Sequence, residues 1–466
     1  MARARTATVT DLLTLLASGD PVPAAQLAQS LGVNRPMLAV LVAEAGPAVL
    51  RIGKARATAY VARMRTDAGD TWPLWRMRPD ATLEELGTLH ALRGDRFYFD
   101  TSGERPLLAR PVDRVAGFHP GLPWFLDDLR PQGFLGRMLA HHQGRTLGVP
   151  DDLIRWQVRD TLLAITRTGG TGIGDLILGQ EALTIAMAER DAPIDVVAFT
   201  DRARQYPAWA RAALAGEDIG SSPGGEQPKF TATVQHEDGG RYVALVKFAV
   251  PDEGQAVRRW ADLLVCEHLA ATTLHEAGLP ASTSHCLHAD GYTFLEVHRF
   301  DRSADALGRH GFVSLQALDA AFYGDGARDW GRFGAMLEAD GWITPEDAVR
   351  MARLHWFGRF IDNSDMHAGN LAFHLADERP LALAPAYDML PMALAPSRTG
   401  AVRPLETVRL AAPDRTGQVG HIRWAADAAI VFWQRVADSD LIGSDELRTL
   451  ARANIDAVGN FSRPFA

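Results

Sequence analysis

The stretch Gln255–Glu276 reads as a helix that carries a carboxylate on the face it has to bury. Trp260, Leu264, Glu267, Ala271 and Leu274 fall at i, i+4, i+7, i+11 and i+14, one apolar stripe with Glu267 in its middle. An unpaired buried carboxylate is rarely tolerated, so the fold has to bring a cation to it. Just upstream, Phe230–Gln235 and Arg241–Val250 read as a hairpin turned by Asp238-Gly239-Gly240, and its second strand places Val243, Leu245 and Lys247 on one face. A lysine closing an apolar strand face needs a carboxylate or phosphate just as Glu267 needs a cation. Pairing Lys247 with Glu267 satisfies both and packs the hairpin on the helix.

Lysine is scarce: Lys54, Lys229 and Lys247 are the three in the chain, against 45 arginines. A compact ammonium bridges phosphate oxygens as a point charge, whereas arginine presents a planar fork. Lys229 ends Ser221-Ser222-Pro223-Gly224-Gly225-Glu226-Gln227-Pro228-Lys229, where small hydroxyl residues and two glycines allow close backbone approach to phosphates. A second polar stretch, Ile361–Leu371, follows an amphipathic helix read over Ala348–Ile361. Within it Asp365 and Asn370 have four residues between them, the spacing of base and metal ligand in the D-x-x-x-x-N loop of protein kinases. A hairpin follows and leads to Tyr387-Asp388. Asp365 fits the acceptor of a hydroxyl proton, while Asn370 and Asp388 supply hard oxygens for Mg²⁺.

The N-terminal segment has a different character. Short helices read over 11–17, 21–31 and 35–45, followed by a two-stranded wing over 49–63 broken at Gly53-Lys54, give a winged helix-turn-helix over residues 1–65. Those residues hold eight Lys/Arg against three Asp/Glu, a net +5, so the other 401 carry −14 of the total −9. A basic cap on an acidic body points to DNA as the partner of the cap alone, with Arg35, Arg51, Lys54 and Arg56 as candidate contacts. From 66 to 150, aromatics amid frequent Gly and Pro predict short strands and turns. Two cysteines, Cys266 and Cys286, exclude a disulfide framework. His141-His142 lacks a third metal ligand nearby, and Gly169-Gly-Thr-Gly-Ile-Gly174 lacks the G-x-G-x-x-G spacing. No apolar run is of membrane-spanning length, and a cytoplasmic protein is expected.

The loop Ser221–Lys229, Val246-Lys247, Arg299-Phe-Asp-Arg302, Asn363-Ser-Asp-Met-His-Ala-Gly-Asn370 and Tyr387-Asp388 together resemble the HipA-like serine/threonine kinases, the toxins of bacterial toxin–antitoxin pairs. The resemblance covers roughly residues 110 to 400 and implies, behind the winged helix-turn-helix read over 1–65, a mixed α/β N-lobe with extra elements over 66–305 and an all-helical C-lobe over 306–466, an α+β chain as a whole. It implies ATP and Mg²⁺ as cofactors, with Asp365, Lys247 and Glu267 catalytic and Asn370 and Asp388 on the metal. Nucleotide contacts would come from Lys247, Ser221, Ser222, Gly224, Gly225, Lys229, Val297, Arg299 and His367. Autophosphorylation would fall on Ser221 or, one register away, Ser222. A Ser/Thr-bearing protein is the implied substrate, with aminoacyl-tRNA synthetases as the family precedent. Two features depart from the family: His298 stands where an acidic hinge residue is expected, and the DNA-binding unit is fused rather than carried by a separate antitoxin. DNA binding in cis follows, with a homodimer on paired half-sites as a further expectation. Two other readings stay open: a small-molecule phosphotransferase with the same loop, and a DNA-binding regulator with an inactive kinase body.

Overall fold

The computed structural model describes residues 7–53, 55–110, 115–168, 172–193, 195–215, 227–326, 328–397, 399–411 and 419–465. Ser221, Ser222, Gly224, Gly225 and Lys54 lie outside the described residues, as does the side chain of Arg56. The N-terminal unit runs α1 (Val9–Leu15), β1 (Val22–Pro23), α2 (Ala24–Ser30), α3 (Arg35–Ala45), β2 (Val49–Ile52) and β3 (Ala59–Ala62), with sheet order β1-β3-β2. Thr8 and Asp11 cap α1 reciprocally, and the Asn34 side chain caps α3 by accepting from the Met37 N–H. Leu12, Leu16, Leu27, Leu38 and Leu41 form a separate core. The helix expected over 21–31 begins only at Ala24. Pro23 is held extended, and Val22 and Pro23 pair at the sheet edge with Tyr60 and Ala59.

Residues 66–305 hold two separate sheets. The first runs β4 (Thr71–Met77), β5 (Leu83–Leu92), β6 (Arg96–Thr101) and β7 (Phe118–His119), is completed by β8 (Leu176–Leu178), and has order β7-β6-β5-β4-β8. Helices α4 (Gly133–Leu147), α5 (Val158–Arg167) and α6 (Gln180–Asp191) accompany it. Helix α4 departs from the strands and turns expected there, because its glycines weaken the helical signal. They serve packing: a Cβ at Gly136 would lie 2.7 Å from the Pro131 carbonyl carbon. The aromatics of this region are core, as expected, and Trp124 packs on Phe322 and Trp342 of the later helical region.

The second sheet, order β12-β13-β11-β10-β9, comprises β9 (Val196–Ala198), β10 (Lys229–Gln235), β11 (Arg241–Ala249), β12 (Ser284–Ala289) and β13 (Tyr292–His298). One face meets α7 (Arg202–Leu214) through Tyr206, Phe230 and Phe294; the other meets α8 (Gln255–Glu276) through Leu264 and Leu295. Beyond it lie β14 (Val313–Ser314), α9 (Leu315–Phe322), α10 (Trp330–Ala339), α11 (Pro345–Phe360), β15 (Ala372–His374), β16 (Ala382–Leu383), α12 (Val419–Asp438) and α13 (Asp445–Ser462). This lobe is therefore not all-helical: β14, β15 and β16 form a small sheet, because the hairpin after the polar loop needs a partner for its free edge. No described helix is long and apolar enough to cross a membrane.

Two aspartates tie these parts together, the first by a hydrogen bond from a distant backbone N–H and the second by ion pairs. Asp301, 3% exposed, accepts from Arg299 (2.9 and 2.7 Å), Arg302 (2.8 Å) and the Gly174 N–H (2.8 Å). Burial opposes its ionisation, but the two guanidinium groups prevail and hold its pKa well below the carboxylate range. Gly174 has φ +76°, and a Cβ there would lie 3.0 Å from that of Phe312, so this glycine serves the junction. The second tie is Asp377, in the β15–β16 turn, which accepts from Arg76 and Arg105 of the first sheet's region, each at 2.8 Å. Removing the carboxylate in Asp301→Ala strands two buried cations and should cost about 3 kcal/mol or more in chemical denaturation. Glu406→Ala, at an exposed ion pair, should stay within about 0.5 kcal/mol of wild type.

Candidate active site

Lys247 and Glu267 meet as their positions on strand and helix require. Lys247 Nζ donates to Glu267 Oε1 and Oε2 at 2.7 and 2.8 Å, with both side chains 7% exposed. It also donates to Asp388 Oδ1, which brings in the far lobe. Burial would lower the Lys247 pKa, but Asp388 and Glu267 outweigh it and hold the ammonium above its ordinary value. Burial would likewise raise Asp388, yet Lys247 and Lys229 bring it down to about 2. For Glu267 burial prevails, and its pKa lies above the ordinary value despite Lys247. Lys229 stands directly across the hairpin from Lys247 in the β10–β11 register. Two ammonium groups so placed repel, and the carboxylates between the lobes offset that repulsion.

The polar loop is held by its own side chains. The α11 helix ends in a buried Phe360-Ile361, with the Phe360 carbonyl accepting from Trp433 Nε1 at 3.0 Å. Asn363 then accepts the Asp365 N–H (3.1 Å) and donates to the Asp388 carbonyl (3.4 Å), so one amide ties the two acidic positions together. Asn370 Nδ2 donates to the Asp365 carbonyl at 2.9 Å, His367 Nδ1 accepts the Gly369 N–H at 3.0 Å, and Tyr387 Oη donates to the Gly369 carbonyl at 2.8 Å. Asp388 has φ +52°, a left-handed conformation that aspartate tolerates better than most residues. Asp365 is left 53% exposed. Burial of the remainder is the main cause that raises its pKa, with His367 opposing and Asp388 adding.

One cleft of about 1450 Å³ is lined by Lys229, Lys247, Glu267, Val297, Arg299, Asp365, His367, Asn370 and Asp388. Arg299 reaches it with its guanidinium already engaged by Asp301. His298 stacks on Tyr242 with ring centroids 3.8 Å apart, and burial, helped by His285, lowers its pKa to about 4. Arg35 and Arg51 lie elsewhere, exposed on the N-terminal unit. Residue spacing missed the far wall, where α4 contributes Leu135, Met138, Leu139 and His142. It also missed Asp128, which accepts the Ser314 N–H at 2.7 Å where β14 leads into α9. Asn363 and Tyr387 stood in the quoted motifs, but their bonding roles had no signal beyond their nearness to Asp365 and Asp388.

The cleft's residues fall within a match to the HipA-like C-terminal domain over residues 221–451, while residues 68–187 match the YjjJ-like toxin middle domain. The toxin YjjJ of Escherichia coli strain K12 is 37% identical over 400 residues, spanning 85% of this chain and 86% of the relative. The chain belongs to the HipA-like toxin family. Its fold is also that of a chain in the Shewanella oneidensis MR-1 complex of HipA, HipB and operator DNA, with TM-score 0.55 at 14% identity, covering 84% of this HipA-like chain and 99% of that one. The middle domain is thus the part of this HipA-like chain that supplies α4 and Asp128 to the cleft.

Asp128 sets a pH-dependent term in stability. Burial raises its pKa to about 6, against the Ser314 N–H, which favours the ionised form. With the folded pKa above the ordinary value of about 4, ionising the group costs stability as pH rises through that interval. Asp128→Asn keeps an acceptor for Ser314 and should raise Tm by about 2–4 °C at pH 8, with no gain at pH 4.

Proposed function

We propose that this chain is an ATP- and Mg²⁺-dependent serine/threonine protein kinase of HipA type whose N-terminal unit binds DNA. The observation that carries the kinase reading is the meeting of Lys247, Glu267 and Asp388 from three separate segments, opposite Asp365 and Asn370. The donor set fits the cofactor. Asp388 and Asn370 offer hard oxygens for Mg²⁺, and Lys229 and Lys247 offer cations to phosphate oxygens. ATP with Mg²⁺ supplies the transferred phosphoryl group. Lys247, positioned by Glu267, would hold the phosphate oxygens by its charge. Asp365, fixed from both sides by Asn363 and Asn370, orients the acceptor hydroxyl and takes its proton. Asn370 spends its amide N–H on the Asp365 carbonyl, which leaves its Oδ1 for the metal.

The unit over residues 1–65 is read as a winged helix-turn-helix that binds DNA in cis. Support comes from its order of helix, strand, helix, helix and hairpin, its own core, and its +5 charge. The units over 66–305 and 306–466 are read as the N-lobe with its added middle domain and the C-lobe. The acceptor is a Ser/Thr-bearing protein, and Ser221 or Ser222 is the proposed autophosphorylation site.

Intact mass after incubation with ATP and Mg²⁺ tests the kinase reading. Wild type should gain phosphate at Ser221 or Ser222, while Asp365→Asn and Lys247→Arg, which keeps a cation between Glu267 and Asp388 but loses the compact ammonium, should lose at least about 100-fold in rate. Undiminished transfer in either variant would overturn the assignment. Asp365 works ionised and its pKa is raised, so activity is present above that pKa and falls as pH drops through it. The acid limb of the rate should therefore lie above the ordinary carboxylate value of about 4.

A further inference from the structure

Helix α3 turns an almost purely apolar face to solvent. Leu38 and Leu41 enter the core of the N-terminal unit, while Met37, Ala39, Val40 and Ala43 are exposed between Arg35 at one end and Glu44 at the other. Met37 is 37% exposed and Val40 47%. The cap residue Asn34 has its side-chain oxygen engaged by the Met37 N–H at 3.0 Å. Arg35 is thus the one long hydrogen-bond donor on the exposed face.

A helix in the major groove tells bases apart in two ways: bidentate contacts from Arg, Lys, Asn or Gln, and apolar contact with the thymine 5-methyl group. Beyond Arg35 the first route is closed to α3. The second fits it. Met37 and Val40 are three residues apart, a rise of roughly 4.5 Å along the helix, close to the ~3.4 Å step between neighbouring base pairs. Charge selects nucleic acid over a second copy as the occupant. Arg35 and Arg51 are exposed on this unit, and residues 1–65 carry +5 within a chain of −9. Two such units, each carrying +5, would repel each other, whereas phosphates would neutralise them.

We propose that α3 reads thymine methyl groups through Met37 and Val40, so that the chain selects A·T-containing duplex by apolar contact rather than by base-edge hydrogen bonds. This rests on the DNA-binding reading above. Arg35 and Arg51 supply the sequence-independent grip.

The test uses the full chain and two duplexes of the same alternating sequence, one with thymine and one with uracil, titrated by fluorescence anisotropy at about 50 mM salt, where phosphate contacts are strong. Loss of two methyl contacts should weaken binding to the uracil duplex by roughly tenfold. Val40→Ser, at an exposed position and with circular dichroism matching wild type, should bring the thymine duplex down towards the uracil level. Equal affinity of wild type for the two duplexes would overturn the methyl reading and leave DNA binding standing. A thymine preference untouched by Val40→Ser would overturn the assignment to this face. No binding to either duplex would overturn both this proposal and the DNA reading beneath it.

Discussion

One ammonium group set between two carboxylates organises the centre of this molecule. Lys247 comes from a strand, Glu267 from the helix packed on that strand, and Asp388 from the opposite lobe after the small sheet. Two neighbouring segments and a third 141 residues from Lys247 must therefore reach one point, or a buried charge is stranded. The cost of that failure is of the order of the whole stability of a typical domain, so the requirement acts as a constraint on the fold as well as on the chemistry. It also couples the lobes, since Asp388 is positioned partly by Asn363, the same residue that fixes Asp365.

The middle domain reinforces this geometry from outside the cleft. It reaches the segment after β13 through the Gly172 carbonyl and Gly174 N–H, and the hairpin after the polar loop through Arg76 and Arg105. Trp124 extends its core into the helical lobe, and Asp128 grips the start of α9. Parting the lobes would have to stretch the ties at Asp301 or Asp377, so this added domain limits how far they can separate.

Much of the cleft was legible in the sequence because buried charge leaves a periodic trace. Glu267 on an apolar helix stripe and Lys247 on an apolar strand face each announce a missing partner, and their pairing follows from adjacency. The spacing of Asp365 and Asn370 survives as a linear motif because one tight loop holds both. Helix α4 was illegible for the opposite reason: Gly136 and Gly144 are required where the chain entering at Pro131 and leaving at Val149-Pro150 passes close to the helix, and propensity reads them as loop. Asp128 and Asp377 act across long sequence separations through single hydrogen bonds or ion pairs, which no local pattern records. In the N-terminal unit the helices were legible from their caps and apolar spacing, whereas Val22-Pro23 turned out to pair with β3, a contact decided by the β2–β3 hairpin folding back.

The scarcity of lysine has a consequence for the chain's reactivity towards amine-directed reagents. Lys54, Lys229 and Lys247 are the only side-chain amines in 466 residues, and two of them face each other across one hairpin inside the cleft. Acylating agents attack through the unprotonated amine, and Lys247 keeps its proton more firmly than a free lysine because Asp388 and Glu267 surround it. The group most central to the cleft is therefore also chemically quiet, until something displaces the carboxylates that hold its charge.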